Sequence, residues 1–486
     1  MDRPVSRDHR YEWSVLIAVS VGAFLDALDV SILSVALPRL TVVFKTDSSV
    51  IAWVNIAYLL TSQSLMFSFA RIGDATGRKR MYSACLALYT AGLLLCSLSR
   101  SAPHLIAARA IEGVGAAGVI PLTTAMAVAV FPERERGKAL GILTSVSAVG
   151  LIVGPIVGGF ILDLLGWRAI FYTRLPVGIL GIVAAWVVVR EQRESVALRF
   201  DLGGAISLFG CLTSMLLFFN LAGKRGFLSA PNPLLVGSAL LLLAVFLLFE
   251  SRAAQPIVDL RLFKNPLLAG AAAAGTINAA VLAGSIFLVP FYLTEGLGYS
   301  APMVGFSISI VGVPFLLLSP VSGKMSDRFG QRLISASGMS LACVALLFLS
   351  RLGSGSSGFA VAVGLCMVGI SYALFVPSNY SAIIGSVPRD RFGTASGILS
   401  LVRQVGSSSG IAVAGTLFAS RQLFYSGRLA DRGLDVSTVG KMSVIGSFQY
   451  VLFLAAVFGT LGIIASTVGK KHRGSGRTPS FQEKED

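Results

Sequence analysis

Charge is what this chain has little of. Asp, Glu, Lys and Arg together make up 13% of its 486 residues, about half the share of a soluble globular domain. No long polar stretch exists in which a soluble domain would lie, which excludes a string of folded soluble units. GxxxxGK[ST] is absent, which removes an ATP-driven pump. No nucleophile–base–orienter arrangement stands out, so an enzyme is not expected, and neither is a metal or other cofactor. The five cysteines, Cys85, Cys96, Cys211, Cys343 and Cys366, lie in or beside apolar runs without metal-ligand spacing. They read as small core or lipid-facing residues.

What the chain has instead is apolar length. It is 54% hydrophobic with a mean hydropathy of +0.78 and 52 glycines, the composition of a polytopic all-α membrane protein whose helices pack on small side chains. A net charge of +16 invites a nucleic-acid partner, but the basic residues sit in short turns between apolar runs. There they set membrane orientation, and no nucleic acid is expected.

A spanning helix needs about 20 apolar residues. That rule predicts spans at 13–37, 50–70, 81–99, 103–130, 138–162 and 167–189, then 201–220 and 232–250, then 267–292, 300–321, 333–350, 358–386, 393–419 and 443–468. Fourteen spans result. Lys and Arg fall more than twice as often on the side of the N-terminus as on the other, which predicts both termini in the cytoplasm and an inner (plasma) membrane location. The first run contains Asp26 and Asp29 and lacks a cleavage site, so it reads as a retained helix and not a signal peptide. The outer loop from Ser420 to Met442 reads as solvated, and the polar tail as disordered.

One charged turn occurs twice. RIGDATGRKRMY, Arg71 to Tyr82, returns as GKMSDRFGQR, Gly323 to Arg332, with Asp74 over Asp327 and Gly77 over Gly330. The repeat predicts two related six-helix halves with an insertion between them. The division expected is a cytoplasmic N-terminus over 1–12, a first bundle over 13–189, a linker with two extra helices over 190–266, a second bundle over 267–468 and a cytoplasmic tail over 469–486. Asp74, Arg78, Lys79, Asp327 and Arg328 are candidates for a conformational latch, a carboxylate pairing with a helix terminus or a guanidinium of the neighbouring bundle. Orientation and helix capping are the alternative, but they would not require the same Gly and Asp spacing twice. The fifth span carries Gly150, Gly154, Pro155, Gly158 and Gly159, a smooth face with a kink that suits either close packing or gating.

Charge inside the spans is the sharper signal, because an unpaired charge there costs several kcal/mol. Asp26 and Asp29 stand three apart in the first span, and Arg109 and Glu112 three apart in the fourth. Arg174 lies in the sixth. At 1.5 Å per residue, Asp29 lies about 14 Å from the outer end, and Arg109 and Arg174 about 9–11 Å. If the five converge, three carboxylates face two guanidiniums, and protonation of one acid balances them. Asp26 and Asp29 are read as the proton-responsive pair, with Arg109 as fixed partner. A permanently satisfied ion-pair network is the alternative. Phe24, Asn55, Tyr58, Asn278, Phe287, Phe291, Phe375 and Asn379 are candidates to line a cavity, though each alone is more often a packing residue.

These residues together resemble the major facilitator superfamily, and specifically its fourteen-helix drug:proton antiporter branch. LDVSILSVALP, Leu28 to Pro38, is similar to that branch's signature in the first helix. Asp74, Gly77, Arg78 and Lys79 resemble the loop motif after the second helix, with Ala70 in place of its first glycine. Arg109, Gly113, Gly115 and Pro121 resemble the fourth-helix motif linked to proton coupling, and the glycines of the fifth span the antiporter motif. Leu401 to Leu417 is similar to the pattern of the eleventh helix. Glu112 stands where glutamine is common and Arg174 where asparagine is common, which enlarges the buried charge network. The resemblance implies two six-helix bundles rocking around a central cavity, with proton movement driving export of hydrophobic or cationic small molecules. An exporter of a lipid or amphipathic metabolite is the nearest alternative, and a non-transporting receptor or scaffold a more distant one. The partners expected are the small-molecule or amphipathic substrate, protons and membrane lipids, around a monomer.

Overall fold

The computed structural model describes residues 9–132, 135–191, 202–225, 231–252, 260–387, 392–430 and 435–467. They form α1 (His9–Phe44), α2 (Ser48–Thr76), α3 (Arg78–Ser97), α4 (Ala102–Val130), α5 (Arg136–Leu165), α6 (Ala169–Tyr172), α7 (Leu175–Val188), α8 (Leu202–Arg225), α9 (Asn232–Arg252), α10 (Pro266–Phe291), α11 (Ala301–Phe329), α12 (Gln331–Leu349), α13 (Gly358–Gly385), α14 (Phe392–Ala430) and α15 (Val436–Thr467). The chain is an all-α, multi-pass integral membrane protein. Residues 1–8 and the expected tail lie outside the described residues.

Helix ends fall where the sequence supplies a cap or a stop. Asp47 accepts the Val50 N–H at 3.0 Å, Ser101 that of His104 at 3.4 Å and Ser357 that of Ala360 at 3.2 Å, each satisfying a donor that the first helical turn leaves open. The sixth expected span is two helices, because Pro176 sits at the start of α7 and the chain turns at Thr173–Arg174. α14 runs on to Ala430 and α15 begins at Val436, so most of the loop expected over Ser420–Met442 is helix. Among the described residues, eleven helical stretches are long and apolar enough to cross a membrane. Two of the other three expected spans are occupied by α3 and α14, which are helical but more polar, and the third by α8, whose described apolar stretch is Phe209–Phe218.

α1 to α7 pack among themselves, as do α10 to α15. The groups share a construction. Gly150, Gly154 and Gly158 of α5 bring its backbone against Ala27, Ser31 and Ile32 of α1, and Ser31 donates to the Gly150 carbonyl at 3.1 Å. Gly406 and Gly410 of α14 do the same against Thr276 and Ala280 of α10. Small residues four apart let two helix axes approach until backbone meets side chain.

The groups meet along two seams. α5 lies on α11, where Gly159 packs on Ala301 and Pro302, Gly305 on the Pro155 carbonyl, and Ser309 donates to the Ile152 carbonyl at 3.0 Å. α2 lies on α14, where Ser48 donates to the Gly415 carbonyl at 3.4 Å. Both sets of contacts lie in the half of the molecule away from the described chain ends. Toward those ends the groups part: a Cβ added at Gly141 of α5 or Gly323 of α11 would meet nothing within 4 Å. The result is a cleft closed at one end. α8 and α9 form a hairpin, and α8 packs against both α2 and α14.

Candidate functional site

The buried charges converge. Asp29 of α1 is fully buried, and Nη1 of Arg109 on α4 donates to its Oδ2 at 2.7 Å, while Nη1 of Arg174 donates to its Oδ1. Nη1 of Arg109 also reaches Oε2 of Glu112 at 2.8 Å, and its Nε donates to the Val54 carbonyl at 3.1 Å. Nε of Arg174 donates to the Ile170 carbonyl at 2.9 Å. Two carboxylates face two guanidiniums, so this group of four is balanced and held by charge-assisted bonds in a low-dielectric interior. Two atoms are left over: Oε1 of Glu112 and Nη2 of Arg174 are buried with no hydrogen-bond partner. The thiol of Cys96 lies 3.4 Å from Oε2 of Glu112.

Local sequence makes this approach possible. Gly113 lets α4 sit against Tyr58 and Thr61 of α2, Gly115 lets it sit against Tyr89 and Cys85 of α3, and Gly92 of α3 sits against the backbone of Glu112. α4 is thereby close enough for a side chain rooted on it to reach α1.

Asp26 does not join this network. It is partly exposed, and its Oδ1 accepts the Tyr58 hydroxyl at 2.6 Å. Tyr58 is the joint between the two parts, since its ring also lies under Arg109, 4.2 Å from Cζ to the ring centroid. The expected cluster of three acids and two arginines is therefore a neutral buried four plus one partly exposed acid. The gap lined by Gly22, Asp26, Leu86, Tyr89, Ala116 and Val119 has no room even for a water molecule. A drug-sized ligand needs roughly 300 Å³ or more, so cargo does not bind there.

Most of the expected cavity residues do not face the cleft. Asn278, Phe287, Phe291, Phe375 and Asn379 are all buried. Asn379 donates to the Ala271 carbonyl at 2.8 Å and Asn278 donates to the sulfur of Met339, so both fasten α10 to its neighbours. Phe287 packs its ring on Phe291 and Phe291 on Phe418, both tilted, and Phe375 packs with Met339. Apolar ring area is worth more buried between helices than lining water. Phe24 and Asn55 remain partly exposed.

The turn residues pair within their own group. Arg78 bonds Asp74 at 2.7 Å, and Glu191 at the end of α7 accepts the Lys79 N–H at 3.2 Å and lies 3.5 Å from Arg80. In this structure the partner of Asp74 is a guanidinium four residues along its own turn. In the second copy, Arg328 lies over the ring of Phe329 at 5.4 Å, and the side chain of Asp327 lies outside the described residues. Gly150, Gly154 and Gly158 serve the α1 contact, whereas Gly159 and Pro155 serve the seam with α11.

Sequence reasoning gave too little weight to Arg403 of α14. Its side chain is exposed, hydrogen-bonded to the Tyr380 hydroxyl, beside Tyr372, and within electrostatic reach of Asp26. An arginine in the interior of an apolar run is the signal that could have found it.

Comparison with known families matches residues 19–411 and 271–484 to the Major Facilitator Superfamily. The chain belongs to the major facilitator superfamily. Its relatives include the riboflavin transporter RibZ of Clostridioides difficile strain 630, 30% identical over 416 residues that cover 84% of this chain and 89% of that protein. The multidrug resistance protein Stp of Mycobacterium tuberculosis H37Rv is 33% identical over 414 residues, 85% of this chain and 77% of that protein. A bacterial homolog of the human lysosomal transporter Spinster, solved in an inward-facing and unoccupied conformation, superposes with a TM-score of 0.68 over 94% of this chain and 98% of that one. At 15% identity that match reports the shared fold. As a major facilitator protein the chain is a small-molecule transporter and not an enzyme, and several of its relatives are named for drug resistance or export.

Proposed function

We propose that this transporter is a proton-coupled antiporter that exports hydrophobic or cationic small molecules, and that it is of the fourteen-helix kind. The observation that carries the reading is the position of Asp26. It is a partly exposed acid, joined through Tyr58 to a balanced buried network of Asp29, Arg109, Glu112 and Arg174. When Asp26 is ionised it attracts a cationic cargo. When it takes a proton that attraction is lost, so cargo and proton compete for one group, the condition for exchange.

Asp29 and Arg109 form the fixed side of this device, and Glu112, with its unpartnered oxygen, is a second place for a proton. In this reading residues 13–189 and 267–468 are the two rocking bundles, and 190–266 carries the inserted pair. Residues 1–12 and 469–486 face the cytoplasm across the inner membrane, and the protein works as a monomer. The charged turns around Asp74 and Asp327 act as the latch when the open end closes. Names such as Multidrug resistance protein Stp and Tetracenomycin C resistance and export protein among the relatives favour export.

The test is transport by purified protein in sealed vesicles, using a panel of cationic drugs and of lipids with and without an imposed proton gradient. Drug accumulation in the acidified compartment, with alkalinisation of that same compartment as protons leave it, is expected. Gradient-independent movement of lipids alone would favour the alternative of a lipid or amphipathic-metabolite exporter.

A further inference from the structure

Arg403 has no role in the charge balance described above. Its position in α14 puts it about 16 Å along the helix from Phe392, and a guanidinium at that depth is costly unless something answers it. Among the described residues no carboxylate lies within ion-pair distance of it. The Tyr380 hydroxyl of α13 is bonded to it. Beside it Tyr372, also of α13, packs its ring at 4.8 Å on Phe315 of α11. On the opposite wall Asp26 of α1 is the partly exposed acid, near enough to be felt and too far to pair. α1 and α14 do not pack along each other, and the proposed ligand lies between these two charges.

We propose that Arg403 and Asp26 form a two-pole recognition site for amphoteric aromatic molecules, with a cargo amine toward Asp26, an acidic oxygen toward Arg403 and the ring system against Tyr372 and Phe315. This rests on the reading of the protein as a small-molecule transporter and narrows its cargo from cationic to amphoteric. A purely cationic molecule satisfies Asp26 but leaves its positive charge facing a guanidinium. A purely anionic one meets the opposite conflict. A molecule carrying both groups answers both walls, and the planar guanidinium favours a carboxylate or phenolate oxygen.

Three dyes built on one ring system separate these cases: rhodamine 110 with an amine and a free carboxylate, rhodamine 123 with the carboxylate esterified, and fluorescein with acidic oxygens and no amine. Binding to the full-length protein in nanodiscs is read by fluorescence anisotropy. Wild type is expected to bind rhodamine 110 at least tenfold more tightly than either of the others. Arg403→Gln should abolish the preference over rhodamine 123 without weakening rhodamine 123 itself, and Arg403→Lys should restore part of it. Equal affinity of wild type for the two rhodamines, failure to bind rhodamine 110, or an equal loss of both in Arg403→Gln overturns the proposal. A protein with the predicted preference that moves no dye under a proton gradient keeps the recognition site and loses the antiport reading.

Discussion

Gly77 and Gly330 occupy the same place in the two charged turns and hold the same unusual backbone. Their φ values are 120° and 94°, and each donates its N–H to the carbonyl four residues earlier at 2.9 Å. Each residue ends one helix and starts the next, so the turn repeats in conformation as well as in sequence.

Alanine at either position forces a Cβ into a conformation that costs about 1–2 kcal/mol. At Gly77 the added carbon would also meet the Glu191 carboxylate, whereas at Gly330 it would meet nothing within 4 Å. Thermal unfolding in detergent should therefore rank Gly77→Ala below Gly330→Ala, and both below wild type. Equal losses would remove the role given to Glu191.

Asp29→Asn leaves Arg109 and Arg174 facing one carboxylate instead of two. Breaking a buried pair in this way costs about 3–5 kcal/mol, and the melting temperature should fall accordingly. Adding Arg174→Gln to Asp29→Asn should recover part of the loss. A double-mutant cycle with no coupling would show that the two side chains do not act on each other.

Tyr58 does two separable things. Tyr58→Phe keeps the ring beneath Arg109 and removes the bond to Asp26, a loss of about 1 kcal/mol. Tyr58→Leu removes the ring as well, at a further cost of about 0.5–2 kcal/mol. Stability should step down in that order, while proton-driven transport should already be several-fold slower in the phenylalanine variant. Normal transport by Tyr58→Phe would mean that the hydroxyl does not serve Asp26.

The α5–α11 seam should tolerate no added bulk on its closed half. Gly305→Val would press on the Pro155 carbonyl, whereas Gly141→Ala adds a methyl where nothing lies within 4 Å. Spin labels on α5 and α11 are expected to report a wider separation at the closed end in the first variant and no change in the second. Gly141→Ala should raise stability by up to about 1 kcal/mol through helix propensity. An unchanged distance distribution in Gly305→Val would mean that the seam yields by side-chain adjustment alone.

Asp435 stands outside the membrane at the start of α15. The Thr438 hydroxyl and N–H donate to its carboxylate, the N–H at 3.0 Å, and hold it below the ordinary aspartate range. The charged form is the bonded one, so its support for the first turn is complete above the unfolded-state value and is lost as pH falls through the lower folded-state value. Amide exchange at Thr438 should accelerate in acid relative to the middle of α15, and Asp435→Ala should remove that pH dependence.

The parts of the fold that could be read from sequence were those fixed by solvent. Apolar runs of membrane length located the helices, and charge inside them singled out Asp29, Arg109, Glu112 and Arg174, because those residues have few ways to be buried other than together. The limits were rotational. Asp26 lies only three residues from Asp29, yet it is partly exposed while Asp29 is fully buried, and hydropathy carries little phase information in helices apolar on every side. The same limit made Phe375 and Asn379 look like lining residues and left Arg403 without a partner. The break before α7 had a local sign in Pro176, but the continuation of α14 to Ala430 did not, since its last turns are polar.

The hairpin of α8 and α9 breaks the symmetry that the two glycine-stacked groups otherwise share. Because α8 leans on one helix from each, a rotation that parts the halves must drag or shear along that flank, while among the described residues the flank formed by α5 and α11 carries no such brace. Motion should be widest on the unbraced side, so the molecule behaves less like two shells parting evenly than like a book bound along one edge.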